Sequence, residues 1–429
     1  MKICRFEDTP LSDLRTPPAE EWGVSEAVRD ILRDVAARGD LALREYTRRF
    51  DGPELTELEV PRWEIEEAYV SLDGELRRVL ELSAENIRAF HRRQLEQLRN
   101  FRMELADGAY LGMKVTPIEK VGLCVPGRTA AYPSTVLMTA IPARLAGCGE
   151  LVMVSPPGPD GKQPTALLAA AKVAGVDRIF RLGGAQGVGA MAYGTESVPK
   201  VDKIVGPGSA YVAEAKRQVF GRVDIDMIAG PSEILVVADG SCEAVNVAAD
   251  LLSQAEHDVL SSAILITDSP ALAEAVSAEV ERQLACLPRE AIARASIEKN
   301  GRIILTEDLL SAVEAANAIA PEHLEICVDD PAPFLDRIRN AGSVFLGKYC
   351  PEALGDYLAG PNHTLPTGGA ARFSSPLGVE DFVKKTQYSY YTPAALEKVS
   401  GAIARFARQE GLEGHARSAL VRFDKEVIR

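Results

Sequence analysis

Short apolar runs alternate with amphipathic segments along most of the chain. The stretches between the apolar runs place apolar residues at helical spacing. Continuous apolar runs between helices are typical of parallel strands that are covered on both faces. The pattern therefore predicts an α/β fold with parallel sheets. The predicted strands lie at 115–125, 151–154, 178–182, 203–205, 233–238, 263–267, 302–305, 324–328 and 343–346.

These strands fall into two consecutive runs, the second of which begins at 233. Two such runs suggest two related sheets. A duplication would explain them, although the sequence similarity between the runs is too weak to establish a duplication. Ahead of them, 74–98 has the period of a long amphipathic helix, and we expect His91 on its surface. The segment 348–376 is rich in Gly, Pro, Asn and Thr and is predicted to be a functional loop. A helix at 393–409 is predicted in a C-terminal module.

The composition narrows the possible partners. A chain of 429 residues is too long to fold around one simple hydrophobic core, so two or more lobes are expected. Lys and Arg number 48 against 62 Asp and Glu, and the charge of −14 argues against a nucleic-acid partner. No apolar run has the length of a signal-peptide core or a membrane span, so we expect a cytoplasmic protein. The seven cysteines are scattered without a C-x-x-C pair, which favours buried thiols in a reducing compartment.

Gln254 and His257 are candidate ligands of a metal ion. If 244–255 is helical, as its apolar spacing predicts, the two side chains lie three residues apart on one face. The alternative is a helix end at which His257 favours the negative end of the dipole and Gln254 is solvated. Taken alone, the stretch favours this alternative because Gln is an uncommon metal ligand.

Two distant segments supply further candidates for the same ion. Asp356 lies in the long loop, and His415 lies near the C-terminus. A carboxylate is a hard oxygen donor that completes a mixed nitrogen and oxygen site, although loop aspartates are ordinarily turn formers. A set of borderline hardness, suited to zinc or manganese, would consist of Gln254, His257, Asp356 and His415.

Glu322 and His323 stand at a predicted junction of helix and strand. A carboxyl group and an imidazole there could divide proton transfer between them, one as the base and the other activating water. Neighbours in a regular strand point to opposite faces, so a shared substrate requires an irregular backbone at this point. The alternative is a histidine packed at a sheet edge beside a solvated Glu322.

Two glycine-rich turns, 183–187 and 206–208, each follow a predicted strand and precede a helix. Sheets of this class present ligand sites at such turns, although plain turns that use glycine for its backbone freedom explain them equally well. No G-x-G-x-x-G motif follows any predicted strand, so an ordinary dinucleotide-binding turn is not predicted.

Taken together, these motifs resemble the histidinol dehydrogenase family, whose enzymes catalyse the last two steps of histidine biosynthesis. The matching stretches occur in order and cover nearly the whole chain. They are 121–127, 183–186, 206–208, 226–233, 253–257, 320–325, 355–357, 362–363 and 410–415.

The resemblance implies a zinc ion that orients histidinol for oxidation by NAD. The implied zinc ligands are Gln254, His257, Asp356 and His415. The implied substrate contacts are Ser232, Gln254, His257, His323, Asp356, His363, Glu410 and His415. His323, with a pKa near neutrality, is the expected base for the alcohol, and Glu322 is expected to activate water for the aldehyde.

For the cofactor, the resemblance points to Cys124, Gln186 and Ser209. The family carries Tyr and Asn at the positions of Cys124 and Ser209, whereas Gln186 keeps its type. Loss of the aromatic face and of the amide predicts weaker stacking and hydrogen bonding to NAD.

The implied fold has two incomplete Rossmann-like parallel-sheet domains in a domain-exchanged homodimer, with His415 supplied by the partner. The implied divisions are an N-terminal arm (1–20), a larger domain with the active site (21–127 and 232–376), an inserted domain (128–231) and a C-terminal module (377–429).

Three other functions stay open. The first is a family member that oxidises another amino or sulfonated alcohol. Glu410 and His363 argue against it, because they are the groups expected to recognise histidinol. The second is a zinc hydrolase that uses Glu322 and a metal-bound water, and the third is a binding protein without activity.

Overall fold

A computed structural model describes residues 1–15, 23–127 and 131–428. Its strands are β1 (Lys2–Arg5), β2 (Phe101–Glu104), β3 (Tyr110–Pro117), β4 (Lys120–Cys124), β5 (Glu150–Ser155), β6 (Arg178–Arg181), β7 (Lys203–Val205), β8 (Asp224–Ile225), β9 (Glu233–Ala238), β10 (Ser262–Thr267), β11 (Arg302–Leu305), β12 (His323–Cys327), β13 (Ser343–Leu346) and β14 (Val383–Tyr390).

Helices cover most of the remaining described chain. They are α1 (Ser25–Arg38), α2 (Asp40–Phe50), α3 (Arg62–Ser71), α4 (Gly74–Leu95), α5 (Pro133–Ala146), α6 (Thr165–Ala174), α7 (Gly184–Tyr193), α8 (Ala210–Val219), α9 (Ala244–Ala255), α10 (Pro270–Leu284), α11 (Glu290–Asn300), α12 (Leu309–Ile319), α13 (Ala332–Leu335), α14 (Glu352–Tyr357), α15 (Pro393–Gln409) and α16 (Glu413–Leu420). No helix in the described ranges is both long enough and apolar enough to cross a membrane.

The described chain divides into two compact units. The first comprises Met1–Leu95 and Ile118–Phe382 and contains two parallel sheets. The second comprises Glu96–Pro117 and Val383–Arg429 and contains the antiparallel sheet β14-β3-β2 together with α15 and α16. The prediction of an α/β fold with parallel sheets is confirmed.

The two parallel sheets have the same topology. Among the described strands, the larger sheet has the order β1-β11-β10-β9-β12-β13 and the smaller sheet has the order β6-β5-β4-β7-β8. Numbered in chain order, β9 to β13 follow the order 3-2-1-4-5, and so do β4 to β8. This is the strand order of a Rossmann fold without its sixth strand, and it supports the expected relation between the two sheets.

Both faces of β9 are covered, which explains its continuous apolar sequence. Ile234 and Val236 pack with α9 and α10 on one face, whereas Leu235 and Val237 pack with α12 on the other. Successive residues of a strand point to opposite faces, so every position of such a strand is buried.

Several predictions of detail differ from the structure. The single strand predicted at 115–125 is two strands, because β3 belongs to the antiparallel sheet and β4 to the smaller parallel sheet. His91 is fully buried, with its Nδ1 2.6 Å from Gln94 Oε1 and its Nε2 3.5 Å from Asn362 Nδ2. It shares the buried face of α4 with Ile87, so its expected exposure is wrong.

The predicted domain limits stay a proposal. The smaller sheet already begins with β4, ahead of the predicted boundary at 128. In the predicted arm, β1 pairs in parallel with β11 at the edge of the larger sheet. Residues 16–22, 128–130 and 429 of the predicted segments lie outside the described residues.

Candidate active site

The candidate site lies where β9 and β12 begin. The two strands are parallel neighbours, with His323 in register with Ile234. Glu233 opens β9, His323 opens β12 and Glu322 immediately precedes it. These side chains therefore gather at the amino edge of the larger sheet, whereas sheets of this topology usually bind ligands at the carboxyl edge.

An irregular backbone gives Glu322 and His323 a common neighbour. Ala320 has a φ of 59°, which is uncommon for a residue with a side chain, and regular strand structure starts only at His323. The Glu233 backbone N–H donates to Glu322 Oε2 at 2.9 Å, and His323 Nδ1 lies 3.0 Å from the Glu233 carbonyl oxygen. Glu322 Oε2 and His323 Nδ1 are 3.6 Å apart. The irregular backbone that shared proton transfer requires is present.

The carbonyl of Glu233 determines the tautomer of His323. A carbonyl oxygen only accepts hydrogen bonds, so the imidazole hydrogen resides on Nδ1 and Nε2 carries a lone pair. Nε2 is buried and has no hydrogen-bond partner in the described chain. His323 therefore offers a free proton acceptor.

Burial sets the protonation of this pair. Burial raises the pKa of Glu322 well above that of an ordinary carboxyl group, against the hydrogen bond from Glu233. It lowers the pKa of His323 to about 4, against the opposing charge of Asp356. The expected near-neutral pKa of His323 is wrong because the imidazole is enclosed. At neutral pH the imidazole is uncharged, and the raised pKa makes the ionised form of Glu322 a stronger base than an ordinary carboxylate.

Gln254 is buried beside His323 and has an unpaired side-chain oxygen. It is fully buried rather than solvated, and its Nε2 lies 3.3 Å from His323 Nδ1. Its Oε1 has no partner among the described residues. A buried acceptor left without a donor costs about 1–3 kcal/mol, and a cation would satisfy it. The helix-end alternative, which requires a solvated Gln254, is wrong.

His257 follows the C-terminal end of α9 and is half-buried. Burial lowers its pKa, and the nearby carboxylate of Asp356 opposes that change. A neutral imidazole, a carboxylate and an amide oxygen are ligand types that zinc accepts. The residues of the first unit therefore fit the predicted metal.

Asp356 and His363 face each other beside this donor set. Asp356 Oδ1 lies 3.4 Å from His363 Nδ1, and His363 Nε2 lies 3.3 Å from Thr135 Oγ1. Burial would raise the pKa of Asp356, but the hydrogen bond to His363 and the imidazoles of His323 and His257 lower it below the usual range. Asp356 is therefore ionised, as a metal ligand must be.

Glu352 belongs to this group although the sequence does not predict it. Its Oε1 lies 3.7 Å from His323 Nε2, and the ligand atoms of Glu352, His323 and Asp356 lie within 4.8 Å of one another. Burial raises the pKa of Glu352 to about 9, and Asp356 acts in the same direction. Its spacing could have found it, because Glu352 stands four residues before Asp356 on one face of α14.

The remaining predicted substrate residues lie in both units. Ser232 is half-buried just before β9, and its carbonyl accepts a hydrogen bond from the Ser262 N–H at 3.0 Å. Glu410 directly follows α15, and His415 is exposed on α16, both in the second unit. Their roles toward substrate and metal stay predictions.

The predicted cofactor residues lie at the carboxyl edge of the smaller sheet. Cys124 ends β4, Ser209 precedes α8 after β7, and Gln186 lies in the first turn of α7. The strand order reverses between β4 and β7, which is where such sheets bind ligands. Burial raises the pKa of Cys124 to about 12, so it is a thiol rather than a nucleophilic thiolate at neutral pH. Cofactor binding by these three residues stays a prediction.

The chain is similar to known proteins along nearly its whole length. The family model for histidinol dehydrogenase matches residues 14–423. Histidinol dehydrogenase of Syntrophotalea carbinolica is 55% identical over 432 residues, covering 98% of this chain and 99% of that protein. That of Bacillus subtilis is 54% identical over 393 residues, covering 92% of each. The crystal structure of histidinol dehydrogenase from Elizabethkingia anophelis matches with a TM-score of 0.91 at 36% identity, covering 99% of this chain and 98% of that chain.

Proposed function

The chain belongs to the histidinol dehydrogenase family, and we propose on this premise that it oxidises L-histidinol through histidinal to L-histidine with two molecules of NAD. Family membership supports an oxidoreductase of histidine biosynthesis. The observation that carries the finer proposal is the free Nε2 of His323 beside Glu322 and the unpartnered Oε1 of Gln254.

Zinc is the proposed metal, with one ion per subunit. Gln254, His257, Asp356 and His415 would hold it, and it would orient the imidazole and amine of the substrate. The unpartnered oxygen of Gln254 and the ionised carboxylate of Asp356 support this donor set. The same four residues, with Ser232, His323, His363 and Glu410, are the proposed substrate contacts.

His323 is the proposed base of the first oxidation. Its Nε2 accepts the hydroxyl proton of the alcohol while the carbinol carbon releases hydride to NAD. The Glu233 carbonyl holds the imidazole by its Nδ1–H, so Nε2 keeps its direction. Glu352, 3.7 Å from Nε2, faces the positive charge that the ring acquires.

Glu322 is the proposed base of the second oxidation. Its carboxylate would take a proton from the water that adds to the aldehyde, which leaves the hydrate as its anion. Loss of a hydride from this anion would give the acid, and bound NAD would supply the hydride acceptor. The burial that raises the pKa of Glu322 makes its ionised form a stronger base. Both hydrides leave from one carbon, so the aldehyde has to stay bound between the steps.

NAD binding is proposed at the carboxyl edge of the smaller sheet, with contacts from Cys124, Gln186 and Ser209. The reversal of strand order between β4 and β7 supports this position.

A cytoplasmic homodimer with shared active sites is the proposed assembly. In the second unit, Val399, Ile403 and Phe406 recur at helical spacing along α15 and are exposed, Phe406 by 70%. An apolar stripe of this kind is typical of a protein interface. Exchange of the C-terminal segment would place Glu410 and His415 in the active site of a partner subunit.

NADH formation from L-histidinol tests this function. Protein treated with a chelator and protein reloaded with zinc are each assayed at saturating NAD. We expect two NADH per histidinol, with activity that depends on zinc. Retained histidinol binding without NADH would contradict the dehydrogenase. Turnover without NAD would indicate a hydrolase, and faster oxidation of another amino or sulfonated alcohol would indicate a different substrate.

A further inference from the structure

The buried ion pair of Lys216 and Asp226 is not used by the proposed chemistry. Lys216 lies on α8 and Asp226 follows β8, and their side chains are 2% and 0% exposed. Enclosing two charges this completely costs desolvation free energy, which their attraction offsets only with good geometry and additional hydrogen bonds. Two further hydrogen bonds join this pair to the backbone at one turn.

Both members of the pair bind Gly206. Its N–H donates to Asp226 Oδ2 at 2.7 Å, and its carbonyl accepts from Lys216 Nζ at 2.9 Å. Gly206 has a φ of 108°, and a Cβ at this position would lie 2.3 Å from the carbonyl oxygen of Cys124. The ion pair therefore holds a turn that only glycine can form, at the point where the strand order of the smaller sheet reverses.

Asp226 also begins the connecting segment, residues 226–233, which leads from the smaller sheet to the larger one. Asp226 Oδ1 accepts from the Met227 N–H at 2.7 Å at the start of this segment. The Gly230 N–H donates to Thr367 Oγ1 at 2.5 Å in its middle. The segment is thus fixed at Asp226 and again at Gly230.

The connecting segment ends at Glu233, the common neighbour of Glu322 and His323. Glu233 Oε1 in turn accepts from the Gly368 N–H at 3.1 Å. One short piece of backbone therefore joins the ion pair under the Gly206 turn to the acid-base pair.

We propose that Lys216 and Asp226 are positioning residues that set the placement of the Gly206 turn, and of the cofactor on it, relative to Glu322 and His323. The inference rests on the proposed function, because it takes the Gly206 turn as part of the NAD site. Hydride transfer requires reacting atoms about 3–3.5 Å apart, and a displacement of about 1 Å can slow a reaction about 100-fold.

The test replaces the whole pair by apolar residues, Lys216→Met with Asp226→Leu, so that no buried charge is left alone. The matched control is Lys203→Met with Asp224→Leu. Lys203 and Asp224 form another Lys–Asp pair, at 2.9 Å, on the neighbouring strands β7 and β8. The Lys216 and Asp226 variant should keep its zinc and its KM for histidinol, while kcat falls about 100-fold and KM for NAD rises. The control should keep all four quantities.

A second variant, Thr367→Val, removes the acceptor of the Gly230 N–H in the middle of the connecting segment. We expect a smaller change of kcat and of KM for NAD in the same direction, again with zinc retained. This variant tests the inference if the double variant does not fold. Unchanged kinetics in the folded variants, or an equal loss in the control, would overturn the inference.

Hydrogen–deuterium exchange separates this inference from the proposed function. The Lys216 and Asp226 variant should exchange faster than the control in two peptides, 205–209 and 227–233. Wild-type protein that forms no NADH would overturn the proposed function while leaving this structural comparison intact. Equal exchange in the variant and the control would overturn the positioning role.

Discussion

The larger and the smaller parallel sheets share one strand order and present their candidate functional groups at opposite edges. The smaller sheet has the predicted cofactor residues at its carboxyl edge, as its topology favours. In the larger sheet that edge is bridged, because Lys348 Nζ binds Asp329 Oδ1 at 2.7 Å and the Ser241 carbonyl at 3.0 Å, across the loops after β12 and β9. The buried pair of Glu322 and His323 lies at the amino edge instead. Topology indicates an edge, whereas the side chains decide where chemistry is possible.

The largest expected effect is on kcat, when the proposed base His323 is replaced and the binding of zinc and NAD is left intact. His323→Asn removes the free Nε2, so kcat should fall about 100- to 10,000-fold while zinc content and NAD binding at the other edge stay unchanged. Steady-state kinetics and elemental analysis measure both. As a control, Gln186→Ala at the smaller sheet should raise KM for NAD and leave kcat nearly unchanged. A His323→Asn variant with wild-type kcat would show that His323 is not the base.

His257→Asn tests the metal at the same edge. Loss of an imidazole ligand should lower zinc occupancy, because the remaining donors hold the ion less well. Zinc content after dialysis against a weak chelator measures the loss, and NAD binding should be unaffected. Full zinc occupancy in this variant would show that the predicted ligand set is wrong.

Glu352→Gln should change how stability depends on pH. Burial raises the pKa of Glu352 from 4.5 to about 9, so the folded chain keeps a proton that the unfolded chain releases between these values. Stability from this group is present below pH 4.5 and is lost as the pH rises through about 9. Urea unfolding of chelator-treated protein at pH 7 and pH 9 should show a smaller loss for the variant than for the wild type. An equal loss in both would contradict the raised pKa.

Ser209→Asn should have the smallest effect, at the carboxyl edge of the smaller sheet. Ser209 is exposed, so the larger amide needs no repacking. Asn is also the residue type that the resemblance implies at this position. One added hydrogen bond of about 1 kcal/mol should lower KM for NAD about fivefold. Ser209→Ala is the matched control; it removes the hydroxyl without adding an amide and should not lower KM. An unchanged KM for NAD in Ser209→Asn would show that residue 209 does not contact the cofactor.

Periodicity predicted the sheets because buried parallel strands are apolar at every position, as in β9 and β10. It missed the boundary between β3 and β4, since an apolar run does not reveal that its two halves join different sheets. His91 repeats the spacing of Leu80, Ala84 and Ile87 on α4, so the pattern did place it on the buried face. Its polar type argued for exposure, but Gln94 and Asn362 give the ring polar neighbours inside.

In the candidate site, sequence motifs identified Glu322, His323 and Gln254, and the fold of the first unit brings the three side chains together. The motifs could not predict the degree of enclosure that lowers the pKa of His323 to about 4. They also missed Glu352, because one acidic residue at a helix start is ordinary. Its spacing of four residues from Asp356 is a weak signal without the distance to His323.

Anomalous diffraction at the zinc edge, from a crystal grown with zinc and NAD, tests the central difference between the two sheets most directly. We predict a metal peak about 2.0–2.3 Å from ligand atoms of Gln254, His257 and Asp356, with dinucleotide density beside Ser209. A peak instead at Asp250, Glu325 and Cys327 would contradict this prediction; besides Glu352, His323 and Asp356, they are the group in the described chain whose ligand atoms lie within 4.8 Å of one another. Dinucleotide density at the carboxyl edge of the larger sheet would contradict it equally.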